Sequence, residues 1–155
     1  MIFGSEEASY QCIVIFFSTV QIVSSTSEPI GPVLCAKPVD LVLAIDSSGS
    51  VADSWNNSID FSERLLSNFN IGDNDVRVGI IDFSMIANAI LPLSSGKSLG
   101  KLFQSLEDLR RRPQNGESHT ELALSLAVKM FSHSPRLGSV AKVSNWGINQ
   151  VECTH

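Results

Sequence analysis

Residues 39–51 read V-D-L-V-L-A-I-D-S-S-G-S-V, and the fold is decided there. Residues 39–45 form a short, nearly continuous apolar run, broken near its start by Asp40. Such a run suits a strand covered on both faces, as in a parallel sheet. The next residues are Asp46-Ser47-Ser48-Gly49-Ser50. In an open α/β sheet, ligands sit beyond the carboxyl ends of the strands. Asp46 is the first residue after the run, so it is expected at that edge. Ser48 and Ser50 follow at alternate positions, which an extended turn can aim to one side. Gly49 is expected to let the chain bend between them. One carboxylate and two hydroxyls would then converge near the start of the next helix. Oxygen ligands of this kind suit a hard cation such as magnesium, which takes six oxygens and usually keeps some waters. The same residues also make an ordinary helix cap. The loop taken alone leaves both readings open.

Outward from this loop the pattern alternates. Over residues 51–69, Val51, Trp55, Ile59, Leu65, Leu66 and Phe69 recur at helical spacing, and Asn70-Ile71-Gly72-Asp73 ends the helix. Residues 76–83 (V-R-V-G-I-I-D-F) read as a second strand and residues 86–93 as a third. Residues 98–109 read as a helix carrying Leu99, Leu102, Phe103, Leu106 and Leu109 on one side. Pro113-Gln114-Asn115-Gly116 is a loop, and residues 120–131 form an apolar helix that ends before Pro135. Residues 139–143 look like the approach to another buried strand, but no period continues beyond them. Strand, helix, strand, strand, helix, helix is the order of an α/β sheet with crossover connections.

These stretches together resemble the von Willebrand factor type A domain, the fold shared with the inserted domains of integrins. Residues 39–51 match its first strand and metal-ion-dependent adhesion loop. Residues 76–84 (V-R-V-G-I-I-D-F-S) match its second strand, and residues 116–124 (G-E-S-H-T-E-L-A-L) its second metal loop and following helix. The resemblance covers residues 39–143. It implies a Rossmann-like, doubly wound, mostly parallel sheet with flanking helices, present here as the first half of the domain. It also implies a metal site made by Asp46, Ser48 and Ser50. Ser118 falls where the family usually has a ligating Thr and keeps the hydroxyl; Thr120 is the less favoured hydroxyl of that loop. The family's third element, an Asp ending the next central strand, has no counterpart. A Mg2+ ion (or Mn2+ or Ca2+) would therefore be held weakly, by one carboxylate and neutral hydroxyls. Its residual positive charge would favour a carboxylate presented by a partner protein, such as one of the extracellular matrix. Three strands are legible where the family has six. On that count one apolar edge of the first strand would lie open, a cause of aggregation or of pairing with another chain. A truncated gene model or splice product, or a fragment completed in some other way, is the matching expectation.

The flanks are less informative. Residues 12–17 (C-I-V-I-F-F) are too short to span a bilayer comfortably. They fit the apolar centre of a secretory signal, with Ser24 to Ser27 as a cleavage region. However, Glu6 and Glu7 precede the run where a basic residue belongs. Residues 1–27 are accordingly set apart as a signal peptide or a disordered leader. Residues 28–38, with Pro29, Gly31, Pro32 and Pro38, are set apart as a linker, residues 39–143 as the partial domain, and residues 144–155 as a divergent tail. Of three cysteines, none has C-x-x-C spacing, which argues against zinc. Cys35 and Cys153 flank the domain as a candidate pair.

Apolar residues make up 43% of the chain and charged residues 17%, which excludes a disordered chain and gives 155 residues a real core. The net charge of -5 and scattered basic residues argue against nucleic acid. Arg110-Arg111-Arg112 reads as a solvated helix end. Asp82 reads as a solvated or capping carboxylate, with added charge near the metal loop as its alternative. His119 reads as loop surface, because imidazole is a poor magnesium ligand. Asn56-Asn57-Ser58 is a glycosylation sequon placed inside a helix. No nucleotide-binding glycine motif and no G-x-S-x-G elbow occurs, and Asp46-Ser47-Ser48-Gly49 lacks the second copy that an aspartic protease needs. Catalysis is not expected. The functional expectation is a secreted, cation-dependent protein-binding module; an intracellular scaffold of the same fold and an incomplete product are the alternatives.

Overall fold

The computed structural model describes residues 10–17, 38–134 and 139–141. In chain order the strands are β1 (Tyr10–Phe17), β2 (Val39–Asp46), β3 (Val76–Phe83), β4 (Ala87–Leu91) and β5 (Ser139–Ala141). The helices are α1 (Trp55–Leu66), α2 (Leu99–Arg110) and α3 (Thr120–His133). A single 3-10 segment, Gly49–Ser54, precedes α1. The helix expected over residues 51–69 is therefore shorter and begins with a tighter turn.

The sheet order is β4-β3-β2-β1-β5. β2 pairs in parallel with β3 along all eight residues, from Val39 opposite Val76 to Asp46 opposite Phe83. β4 is antiparallel to β3, so the sheet is mixed. Every residue of β2 and β3 is buried, as their unbroken apolar sequences require of strands covered on both faces.

The two faces bury different sets. Leu41, Leu43 and Ile45 of β2 and Val78 and Ile80 of β3 pack with Trp55, Ile59 and Leu66 of α1 and Leu102, Leu106 and Leu109 of α2. The alternate residues Val42, Ala44, Ile81 and Phe83 pack with Ala123, Ala127, Met130 and Phe131 of α3. Strand period two and helix spacing of three to four thus meet in a three-layer α/β core. On α1, buried Ser58 and Ser62 donate to the carbonyls of Ser54 and Ser58, one turn back, so neither hydroxyl is stranded. Burial of Ser58 inside a helix also removes the hydroxyl of the sequon from the surface. Gly79 in β3 makes room for α3, because a Cβ there would come within 2.5 Å of the Met130 methyl.

The sheet differs from the sequence expectation in strand number. Among the described residues it has five strands, not three. The second edge of β2 is not open: β1 pairs with it in parallel, from Gln11 opposite Val39 to Phe17 opposite Ile45. β5 pairs with β1 from Tyr10 opposite Ser139 to Cys12 opposite Ala141. The exposed apolar edge, and the aggregation deduced from it, do not arise in this structure. The apolar run set apart as a leader supplies the missing pairing. Cys35, Cys153 and residues 144–155 lie outside the described residues.

Candidate metal centre

Three loops meet beyond the carboxyl ends of β2 and β3. One follows β2, one is the turn between β3 and β4, and one joins α2 to α3. Backbone hydrogen bonds stitch them together. Ser47 N–H donates to the Phe83 carbonyl (2.8 Å), Asn115 N–H to that of Ser47 (3.0 Å), Gly49 N–H to that of Gly116 (3.0 Å) and His119 N–H to that of Ser84 (3.1 Å). The Ser47 hydroxyl adds a second bond to Phe83 (3.2 Å). The sequence did not single out Ser47; its part is to bind the loop to the neighbouring strand.

Asp46 ends β2 and is buried, with 3% of its surface exposed. Its Oδ1 accepts from the Ser48 N–H at 2.9 Å, a local Asx turn that bends the chain out of the strand. Its Oδ2 accepts from the Ser118 hydroxyl at 2.8 Å, although 72 residues separate the two. The Ser48 and Ser50 hydroxyl oxygens lie 3.1 Å apart. Ser48 is buried, whereas Ser50 and Ser118 are exposed. The four residues named from sequence are thus brought into one hydrogen-bonded group that opens to solvent through Ser50 and Ser118. Thr120 is the first residue of α3; Ser118, not Thr120, bonds Asp46.

The glycine expectation shifts. Gly49 does not have a positive φ, and a Cβ there would meet nothing closer than 3.8 Å. The left-handed glycine of this site is Gly116, with φ 77°, a conformation that other residues resist. A Cβ at Gly116 would also come within 2.7 Å of the Met85 side chain. Gly116 therefore shapes the second loop so that its carbonyl can take the Gly49 N–H.

The remaining candidates separate cleanly. Asp82 sits opposite Ile45 in register, on the face packed by α1 and α2, whereas Asp46 sits opposite Phe83, on the α3 side. Asp82 therefore does not face the loop carboxylate. Its Oδ2 lies 3.5 Å from the Arg112 guanidinium, and its Oδ1 is buried with no hydrogen-bond partner among the described residues. Arg110 pairs with Asp60 at 2.8 Å and Glu107 at 2.9 Å. Two of the three arginines thus tie the end of α2 to other elements, and Arg111 is the solvated one. His119 Nδ1 lies 2.8 Å from Glu121 Oε1, at the protein surface. The Glu121 carboxyl is held below its ordinary range, first by the backbone N–H at the start of α3 and then by His119.

The donor set fits a hard divalent cation held weakly. It is all oxygen, with one carboxylate and three hydroxyls, and Asp46 has no cationic side chain against it among the described residues. No group of three or more His, Cys, Asp or Glu side chains is clustered for a metal among the described residues. The adjacent strand β1 carries no acid in its sequence Y-Q-C-I-V-I-F-F, so it adds no second carboxylate. By its chemistry alone, an all-oxygen set of this kind suits a hard cation better than zinc or a transition metal.

Comparison with known proteins bears on the family. The family model of the von Willebrand factor type A domain matches residues 40–144. Matrilin-1 of Gallus gallus is 30% identical over 125 residues, covering 75% of this chain and 25% of that protein. The collagen alpha-1(XXI) chain of Xenopus laevis is 28% identical over 152 residues, covering 93% of this chain and 15% of that protein. Matrilin-4 of Homo sapiens is 32% identical over 101 residues, covering 64% of this chain and 16% of that protein. The chain spans a quarter or less of the length of these relatives. The matched segment begins inside β2, contains the Asp46 loop and the Ser118 loop, and runs past α3. On this match and this fold, the chain belongs to the von Willebrand factor type A domain family.

Proposed function

We propose that this chain is a protein-binding module whose contact with its partner runs through a divalent cation held by Asp46, Ser48, Ser50 and Ser118. The observation that carries this reading is a buried carboxylate, bonded only by neutral donors, beside three hydroxyls at the solvent-facing edge of a parallel sheet. A buried carboxylate without a counter-charge is costly unless something positive completes it. When bound, the cation would supply an electrophilic centre with open coordination positions. The side chains of this chain would hold it with a single negative charge. The excess positive charge selects an anionic partner group, and a carboxylate from another protein fits best. The organisation of the family supports an interaction module rather than an enzyme, and the likeness to matrilins and a collagen chain supports a matrix partner and an extracellular location. No helix among the described residues is long and apolar enough to cross a membrane.

Magnesium titration calorimetry on the parent and on Asp46→Ala tests the site. Binding in the parent and none in the variant is expected. Equal magnesium affinity in the two would sink the assignment. Recovery of the expressed chain from the medium, rather than from the cytoplasm, separates a matrix module from an intracellular scaffold.

A further inference from the structure

β2 is the strand on which the candidate site is built, and it is buried along its whole length. A buried strand must pair its backbone on both edges, because an N–H or C=O buried away from water without a partner loses its hydration and gains nothing in return. β3 satisfies one edge. On the other edge stands β1, drawn from a part of the sequence that also has the make-up of a targeting signal. The two uses exclude each other. A segment removed after export cannot also pair with the central strand of the folded domain.

We propose that the second edge of β2 is an acceptor for a parallel apolar strand, that residues 10–17 are its occupant, and that they are retained as part of the folded domain. Three observations carry this. The register is continuous, with seven successive pairs from Gln11 opposite Val39 to Phe17 opposite Ile45, so β1 ends level with the last apolar residue before Asp46. The sequence Y-Q-C-I-V-I-F-F is dominated by β-branched and aromatic residues and contains no charge, glycine or proline, which is the composition of a central strand. β1 is also enclosed in the sheet order, between β2 and β5. The connection to β2, residues 18–38, is longer than the dozen residues that a parallel crossover requires. The occupant is held by backbone pairing along an edge rather than by a short local hairpin. The same segment supplied as a separate peptide should therefore serve in its place.

Amide hydrogen exchange on the unaltered full chain is the first test. Residues 12–17 should exchange within about tenfold of residues 41–45 of β2, and at least about 100-fold more slowly than an unstructured peptide. Exchange at unstructured rates in 12–17, with β2 protected, overturns the proposal. The second test compares the full chain with a chain beginning at residue 18. The shortened chain should lose its cooperative melting transition, and a peptide of residues 10–17 with a three-lysine tail should restore it. An unchanged melting temperature in the shortened chain overturns the proposal. So does a mature amino terminus found after Phe17 in protein recovered from secreting cells.

Discussion

Two carboxylates on the same strand have met burial in opposite ways. Asp40 and Asp46 lie six residues apart in β2 and are exposed by only 2% and 3%. Asp40, at the amino end, is bonded by Arg77 through Nε (2.8 Å) and Nη2 (2.5 Å). Nη2 also donates to the Ser134 carbonyl at the end of α3, where a cation suits the helix dipole. That site is electrically closed. Asp46, at the carboxyl end, receives among the described residues a backbone N–H and a serine hydroxyl. Its charge is oriented but not neutralised. α3 links the two ends, since the Ser118 loop precedes it and Ser134 follows it. One end of the sheet uses a protein cation to hold the fold; the other meets its carboxylate with neutral donors.

The largest expected effect breaks the closed end. Arg77→Met strands the Asp40 charge and should cost about 3–5 kcal/mol, read as a lower thermal or urea midpoint. Adding Asp40→Leu to Arg77→Met should recover most of that loss, because an apolar pair replaces an ion pair at little net cost. Failure of the double variant to recover would mean that the pair also specifies the packing of α3.

At the open end, Asp46→Asn should behave differently. An amide can still accept from the Ser48 N–H and donate to the Ser118 hydroxyl, so stability without metal should change by no more than about 1 kcal/mol. What should vanish is the gain from magnesium. At ten times its dissociation constant, magnesium stabilises a one-site protein by about 1.4 kcal/mol, a rise of a few degrees in melting temperature. A magnesium-dependent rise that persists in Asp46→Asn would remove the contrast between the two ends. Ser118→Ala is a milder version: magnesium affinity about tenfold weaker, or about 1.4 kcal/mol, in the same calorimetric titration.

The smallest effect lies at the rim. The Glu121 carboxyl titrates below its ordinary range, held there by the helix amide and then by His119. Its contribution to stability is therefore present above the ordinary carboxylate range and lost as pH falls through the lowered folded value. Glu121→Gln should lower the melting temperature slightly near neutrality and meet the parent's value as pH falls through that acid window. A difference of equal size persisting below that acid window would assign the effect to something other than this ionisation.

Where the sequence was legible, periodicity and local chemistry agreed. β3 runs over residues 76–83 as the apolar pattern indicates, and α3 starts at Thr120 as expected. The Asp46 loop and Ser118 were named together, and the structure brings them within hydrogen-bonding distance. Legibility failed where the partner was distant. Residues 10–17 have no polar alternation to mark a face, so a strand of a parallel sheet and the apolar centre of a signal look alike in sequence. Arg112 reaches Asp82 across 30 positions, and nothing in an arginine triplet announces that contact. Gly116 differs from Gly49 in its positive φ and in its close approach to Met85, both set by how the loop closes.

The sequence by itself determined the α/β class, the central strand, and the acidic-hydroxyl loop that ends it. Strand and helix periods and the D-x-S-x-S spacing are local properties of the chain. Tertiary structure decided which carboxylate is neutralised and which is left open, which loop carries the strained glycine, and what pairs with the second edge of β2. Those outcomes depend on register across the sheet and on contacts between residues tens of positions apart. No local pattern encodes them, because burial and backbone pairing are satisfied by whichever segment of the folded chain arrives at the edge.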